Sequence, residues 1–215
     1  MKKLLLILFF LPSMVLSQGV FNFPDLYNLN IDRFDTEENW GSNYNDFYPI
    51  GWSVDGKIAY LTIIEYQSGI GGFVCQFIIK NMKNDKVIDS IDFDFSDASF
   101  IKKNWHNDSL SIHYLLNKHK IQNDGFGKFN FSSSTKSFKI IFAKGNNKYK
   151  LSTFLYPDSI NLIADLDYGD WDKLYYGGYF ESPFEDRIAI LIVRRRDGFE
   201  GEHDFGIEFY GKKLD

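Results

Sequence analysis

The sequence predicts an α+β protein that is mainly β, an antiparallel sheet assembly with one helical insertion at about residues 97–119. Three observations predict this fold class. The 215 residues are 44% hydrophobic and 18% aromatic with 22 Phe, which supplies one apolar core and favours strands. Several segments alternate apolar and polar residues, the period of a strand with one solvated face. One long segment instead repeats its apolar residues at helical spacing.

Residues 1–17 have the organisation of a secretory signal peptide. Lys2 and Lys3 precede an apolar run at 4–11, and small residues follow up to Ser17. The run is shorter than the roughly 20 residues of a transmembrane helix, so we expect an exported chain with no membrane span after cleavage. Cleavage changes the formal net charge from −5 to −7. Residues 18–45 are predicted to form an N-terminal extension that lies over a single β-rich domain at 46–215.

The first half of the domain is predicted to contain strands at 57–65, 73–80 and 87–95. A glycine-rich connection at 67–72 separates the first two strands, as is typical of a hairpin. In the third strand, Ile91, Phe93 and Phe95 alternate with aspartates, so one of its faces is expected to be solvated.

A helix or a helix pair is predicted at 97–119. Ser96 and Asp97 provide an N-cap signal. Apolar residues then recur at helical spacing, namely Ala98, Ile101, Trp105, Ile112, Leu115 and Leu116. We expect this stripe to pack on the sheet.

The second half of the domain is predicted to contain strands at 128–132, 137–143 and 148–155. The run at 188–193 is continuously apolar, which is typical of a central strand covered on both faces. Phe205, Ile207 and Phe209 alternate with other residues and predict the final strand.

A weak internal repeat precedes two of these strands. The segment at 51–60, GWSVDGKIAY, resembles the start of a hairpin in TolB-like propeller blades, where an Asp-Gly turn leads into a buried strand. A degenerate second copy at 181–190, ESPFEDRIAI, follows about 130 residues later. Propeller blades recur about every 40 to 50 residues. We therefore expect two blade-like hairpins in a smaller sheet protein, with a partial or small β-propeller as the alternative.

The combination of GWSVDGK, a central helix and SPFEDRIAILIVRRRDGFEGEH is also similar to an uncharacterised family of secreted bacterial proteins. That family has no assigned activity. The resemblance therefore implies export and passes on no catalytic residues.

The acidic composition argues against a nucleic-acid partner, which would require a basic field to neutralise phosphates. Short basic clusters at 102–103, 118–120 and 194–196 are interpreted as solvated faces. The single cysteine, Cys75, has no second cysteine for an internal disulfide and is interpreted as a small buried hydrophobic residue.

The sequence contains no nucleophile elbow, no His-Glu-x-x-His zinc motif and no phosphate loop. Structural or surface roles are therefore predicted for the four histidines, His106, His113, His119 and His203. Enzymatic activity is the less favoured interpretation.

Carboxylates alternate around a glycine turn at 165–172. Asp165, Asp167, Asp170 and Asp172 would offer three or four oxygens to calcium, a hard cation that takes six to eight. Position twelve of the loop is Tyr176 and not the bidentate Glu of an EF-hand. An ordinary acidic turn between strands is preferred, and a calcium site is the alternative.

A second acidic cluster at 197–204 is predicted to close the C-terminal hairpin. Glu200, Glu202 and Asp204 alternate, and paired carboxylates act as acid and base on glycosides. The preferred interpretation is that the arginines at 194–196 neutralise this cluster by cross-strand pairing.

Trp171, Tyr175, Tyr176 and Tyr179 crowd into a short segment. Such rings stack on sugars or on peptide side chains, although aromatic residues in strand-rich proteins usually belong to the core. This segment is the best candidate for a binding surface, and Glu200 and Glu202 of the second acidic cluster are further candidate binding residues.

The function expected from these features is that of an exported binding or envelope-associated protein without enzymatic activity, either periplasmic or extracellular. Its partner would be a protein or glycan ligand. The alternative is a secreted hydrolase that uses acidic residues of the C-terminal hairpin, with or without calcium. No cofactor is expected for the preferred function.

Overall fold

The protein is described from a computed structural model. The described residues are 23–27, 42–43, 45–66, 72–95, 103, 105, 109–122, 126–145, 148–157, 159–167, 173–197 and 203–215. The predicted signal peptide at 1–17 and most of the extension at 18–45 lie outside them. The elements are β1 (Ser42–Asn43), β2 (Asn45–Ser53), β3 (Lys57–Tyr66), β4 (Gly72–Asn81), β5 (Lys86–Phe95), α1 (Ser109–Lys118), β6 (Ile121–Gln122), β7 (Phe129–Asn130), β8 (Phe138–Lys144), β9 (Lys148–Leu155), β10 (Ser159–Asp167), β11 (Lys173–Glu181), β12 (Arg187–Asp197) and β13 (His203–Lys213).

The strands form three sheets. The N-terminal sheet has the order β5-β4-β3-β2-β6, the central sheet β1-β13-β12-β11-β7, and the third sheet β10-β9-β8. The strand pairs are antiparallel, except that β1 runs parallel to β13. The predicted fold class, mainly β with antiparallel sheets and a helical insertion, is confirmed.

Three clusters of buried side chains hold the layers together. The first lies between the N-terminal and central sheets and includes Phe47, Trp52 and Phe209. The second lies on the other face of the N-terminal sheet, where Ile112 and Leu116 of α1 pack. The third joins the central and third sheets. The layers therefore follow one another in the order α1, N-terminal sheet, central sheet and third sheet.

Strand β12 is covered on both faces, as its continuous apolar run predicts. Ala189, Leu191 and Val193 pack towards the N-terminal sheet. The alternate residues, Ile188, Ile190 and Ile192, pack towards the third sheet. This strand is apolar throughout because no position along 188–193 meets solvent.

The two copies of the sequence repeat occupy matching hairpin turns. The first joins β2 to β3 and the second joins β11 to β12. Ile58 faces the central sheet and its counterpart Ile188 faces the third sheet, while Ala59 and Ala189 face the opposite way. The two sheets therefore stack in the same direction, as successive blades do. The described residues form three sheets, whereas a small propeller needs about four.

Within the predicted range of 97–119, α1 and Lys103 are helical, and residues 97–102, 104 and 106–108 lie outside the described residues. Helix α1 begins at Ser109 and ends at Lys118, and Ile112 and Leu116 of the predicted stripe are buried against the N-terminal sheet together with Trp105. At its C-terminal end, His119 and Lys118 both bind the carboxylate of Asp89 on β5. Within the described part of the chain, no helix has the length and apolar character needed to span a membrane.

The described residues of the predicted extension pack on this framework. The amide of Tyr27 donates a hydrogen bond of 2.8 Å to the carbonyl of Phe47. The ring of Phe23 contacts Trp105 and Tyr48 edge-on, at centroid distances of 5.1 and 5.2 Å. These contacts join residues 23–27 to two different clusters of buried side chains.

Candidate functional site

The candidate site is built on the edge of the central sheet. Strand β1 pairs with β13 only at His203 and Asp204. From Phe205 onward, no described strand lies on that side of β13. An open edge exposes backbone amides and carbonyls that need other partners.

The hairpin between β4 and β5 supplies two of these partners. The Nζ atom of Lys80 donates a hydrogen bond of 2.5 Å to the carbonyl of Phe209. The Oδ1 atom of Asp85 accepts a hydrogen bond of 2.6 Å from the amide of Gly211. A Cβ atom at Gly211 would lie 1.8 Å from the Met82 carbonyl oxygen, so only glycine allows the hairpin to approach this closely.

The buried Lys80 ammonium lies in a network of charges. Its Nζ is 3.9 Å from Glu208 and 5.0 Å from the centre of the Tyr210 ring. Burial lowers the pKa of Lys80, and the charges of Glu208 and Asp85 offset part of that effect. Burial likewise raises the pKa of Asp85, against the hydrogen bond from Gly211 and the charge of Lys80. The hairpin is thus attached to the edge of β13 by two ionisable side chains.

A polar cleft opens where this hairpin, the end of β13 and strand β10 meet. Its volume is about 350 Å³. All three sheets contribute to its lining, which consists of Lys83, Asp85, Leu162, Ile163, Arg187, Gly211, Lys212 and Lys213. Four cationic side chains and one carboxylate therefore face a space of small-ligand size.

The four cations differ in their partners. Arg187 is buried and donates to Glu185 at 2.8 Å and to the Met82 carbonyl at 3.0 Å. Lys213 is paired with Asp215. The side chains of Lys83 and Lys212 form no hydrogen bond or ion pair with any described residue. The cleft therefore has two cations available to an anionic ligand, and a third, Arg187, that is held in place.

The ionisable groups of the cleft lining are its four cations and Asp85, whose carboxylate accepts the hydrogen bond from the Gly211 amide. Neither Asp165 nor Asp167 of the calcium hypothesis contributes to the lining.

The tyrosines of the predicted aromatic surface lie on β11 and do not share one face. Tyr179 is fully buried and its ring contacts Phe138 at 5.4 Å. Tyr176 also faces the third sheet, and its hydroxyl donates to the carbonyl of Ser132 at 3.4 Å. Tyr175 packs on the cluster between the other two sheets. Trp171, Glu200 and Glu202 lie outside the described residues.

Of the predicted calcium ligands, Asp165 and Asp167 lie within β10 and not in a turn. Both are exposed, and Asp167 is 3.1 Å from Lys148 on the neighbouring strand. Asp170 and Asp172 lie outside the described residues. Across the positions that the structure describes, no three His, Cys, Asp or Glu side chains are grouped as a metal site requires.

The strand register places Arg196 of the arginine cluster opposite Asp204 of the predicted acidic cluster, and Arg194 pairs with a further acid on the same strand. The Nε atom of Arg194 donates to Glu208 at 2.7 Å, and Glu208 lies on β13 beyond the predicted cluster at 197–204. The charge of Glu208 raises the pKa of Arg194, although burial acts in the opposite direction.

Cys75 is fully buried, as predicted for a small hydrophobic residue. Burial, together with the charge of Asp92, raises the pKa of its thiol to about 12. Its thiolate is therefore scarce near neutral pH.

Comparison of the chain with protein-family models, with curated proteins and with solved structures gives no match.

Proposed function

We propose that the protein is an exported binding protein without enzymatic activity, and that its basic cleft takes the anionic group of a small ligand. The observation that carries the proposal is the pair of lysines, Lys83 and Lys212, which face the cleft without a partner among the described residues. An ammonium group at the wall of a cleft attracts carboxylates and phosphates, because opposite charges attract most strongly where water is partly excluded.

The size and the lining of the cleft indicate the ligand class. A volume of about 350 Å³ lies at the lower end of the range for small-molecule sites. Leu162 and Ile163 supply the apolar part of the lining. A small molecule with one or two carboxylate or phosphate groups and an apolar portion matches this lining.

Export is supported by the sequence pattern at 1–17. Cell fractionation of the full chain tests this part separately. The protein is expected in the exported fraction, and deletion of residues 2–17 is expected to retain it in the cytoplasm. Cytoplasmic retention of the full chain would contradict export.

Thermal shift and titration calorimetry at constant ionic strength test the cleft. The probes are inorganic phosphate, pyrophosphate and citrate. Saturable binding raises the melting temperature, since a ligand at 100 times its Kd stabilises by about 2.7 kcal/mol. Lys83→Gln combined with Lys212→Gln is expected to weaken binding at least tenfold.

The matched control is Lys86→Gln, which removes an exposed lysine from the same hairpin but not from the cleft lining. This control is expected to bind as the wild type does. If no anion binds, or if the double variant binds as tightly as the control, the cleft is not the binding site.

A further inference from the structure

Asp85 is the single acidic residue among the described residues that line the cleft. Its Oδ1 atom accepts a hydrogen bond of 2.6 Å from the amide of Gly211, and its Oδ2 atom accepts none from any residue that the structure describes. A carboxylate can accept about four hydrogen bonds, so most of this capacity is unused. Because Asp85 is half-buried, water replaces the missing donors only in part. A ligand that carries a donor would complete its hydrogen bonding.

The nearest buried cations are engaged with other acids. Lys80 is 3.9 Å from Glu208, and Arg187 donates to Glu185 at 2.8 Å. Burial raises the pKa of Asp85, and the charges of Lys80 and Arg187 act in the opposite direction without coming within ion-pair distance of its carboxylate. Among the described residues, Asp85 therefore has no direct counter-charge, and a cation bound in the cleft would supply one.

The backbone of the turn between β4 and β5 fixes the position of this carboxylate. Asp85 has a φ of 57°, in the left-handed region that aspartate and asparagine enter more readily than other residues with a side chain. The amide of Met82 donates to the carbonyl of Gly56 at 2.9 Å, and the carbonyl of Met82 accepts from Arg187 at 3.0 Å. These contacts preorganise the turn, which lowers the entropic cost of binding a ligand against it.

The unpaired ammonium groups of the cleft lie on both sides of Asp85 along the chain contacts. Lys83 is two residues before Asp85 in the same turn, and Lys212 follows Gly211, whose amide binds Asp85. Lys212 is in register with Ile188, which packs towards the third sheet, so the two side chains point to the side of strand β10. The cleft thus combines one carboxylate, two unpaired ammonium groups and the apolar side chains of β10 in one small space.

We propose that the cleft binds a small zwitterion, namely an α-amino acid with an aliphatic side chain. Lys83 and Lys212 bind the carboxylate of the ligand. Asp85 accepts hydrogen bonds from its ammonium group, and Leu162 and Ile163 contact its side chain. The inference rests on the proposed function and adds the ammonium group to the ligand. A ligand with anionic groups alone would place a like charge beside Asp85 and leave that carboxylate unpaired.

Titration calorimetry of the protein with four matched compounds tests each contact. Free leucine carries all three groups. The compound 4-methylpentanoate lacks the ammonium group, 3-methylbutylamine lacks the carboxylate, and glycine lacks the apolar side chain. Leucine is expected to bind at least about tenfold more tightly than 4-methylpentanoate or 3-methylbutylamine, because each loses a charge-assisted hydrogen bond. It is expected to bind about fivefold more tightly than glycine, because its side chain is removed from water.

Asp85→Asn isolates the contact with the ammonium group. Asparagine keeps an oxygen that accepts from the Gly211 amide and tolerates the positive φ, so a melting temperature close to that of the wild type is expected. The preference of this variant for leucine over 4-methylpentanoate is expected to fall to about one, because the charge that attracts the ammonium group and repels the carboxylate is gone. The matched control is Asp186→Asn, which removes an exposed acid beside Arg187 but outside the lining and is expected to keep the preference.

Equal affinity of the wild type for leucine and 4-methylpentanoate would overturn the proposal, as would an unchanged preference in Asp85→Asn. Binding of 3-methylbutylamine as tightly as leucine would exclude the role of the lysines, and equal binding of glycine would exclude the aliphatic side chain. If Asp85→Asn does not fold, the four compounds with the wild type still decide the question. Phosphate binding without a preference for leucine refutes the zwitterion alone, whereas failure of every anion to bind refutes the proposed function as well.

Discussion

Replacement of Lys80 by methionine tests whether the β4–β5 hairpin stabilises the open edge of β13. Lys80 is buried, and its ammonium donates to the carbonyl of Phe209 at 2.5 Å. Methionine fills a similar volume but has no donor. The substitution therefore removes the hydrogen bond and the interaction with the Tyr210 ring while it preserves most of the packing.

The expected loss of stability follows from these contacts. A hydrogen bond from a charged donor contributes about 1.5 to 3 kcal/mol, and a partly buried cation over an aromatic ring contributes about 1 kcal/mol. The substitution also removes the free-energy cost of burying the ammonium charge, which offsets part of this loss. A net decrease of about 2 kcal/mol in the free energy of unfolding is expected, which lowers the melting temperature by about 4 to 8 °C in a chain of this size.

Urea denaturation and calorimetry measure the change, and Lys86→Met is the control. Lys86 lies on the same hairpin with an exposed side chain, so its replacement is expected to change stability by less than about 0.5 kcal/mol. Equal stability of the two variants, or a gain in Lys80→Met, would refute the role assigned to the hairpin.

The pH dependence provides a second measurement of the same group. Burial lowers the native pKa of Lys80 below its ordinary value of 10.5, so the unfolded chain retains this proton at pH values where the native protein releases it. The contribution of Lys80 to the free energy of unfolding therefore rises as the pH approaches 10.5. The difference in this free energy between the wild type and Lys80→Met is expected to widen as the pH rises to 10.5. A constant difference would contradict the lowered pKa of Lys80.

Two further predictions concern the N-terminal sheet. Burial raises the pKa of Cys75 to about 12, so a thiol reagent at pH 8 is expected to label this residue only as the protein unfolds. The labelling rate should therefore increase with the urea concentration. Labelling of the native protein at the rate of free cysteine would contradict this. The hydrogen bond from His119, with that from Lys118, lowers the native pKa of Asp89 below 3.8, so its stabilising contribution is present above pH 3.8 and is lost as the pH falls below it. Asp89→Asn is expected to have a lower urea midpoint than the wild type at pH 6 and a smaller further decrease between pH 4 and pH 3, and parallel pH profiles would exclude the role of this carboxylate.

The sequence predicts strands that contain a sufficiently long regular pattern. The alternation of Ile91 and Phe93 predicts β5, whose register shift lies near its start, opposite Ile79 and Lys80, and the run at 188–193 predicts β12. The helical stripe at Ile112 and Leu116 is equally regular, and it predicts the face of α1 that is buried.

Three of the strands that the sequence did not predict, β2, β10 and β11, each contain a register shift near the middle. The shifts lie between Pro49 and Gly51, between Leu162 and Ala164, and between Tyr176 and Gly178. A bulge places two successive residues against one partner, so the alternation of faces reverses at that point. A search for an unbroken period of two misses such strands.

The sequence does not predict the cleft either, for a different reason. Lys83 and Asp85, Leu162, Arg187 and Lys212 come from four separate parts of the chain, and only the stacking of the sheets brings them together. No spacing in the sequence connects them. Asn84 and Asp85 are residue types typical of a turn, but the position of this turn against β13 follows from the tertiary fold alone.

The N-terminal and central sheets face the same way along the stack, so the molecule has two unlike ends. Helix α1 covers the outer face of the N-terminal sheet at one end, and the outer face of the third sheet forms the other end. A further layer can be added to such a stack at the outer face of the third sheet. Insertion of another strand meander there would leave the packing of the layers already present unchanged.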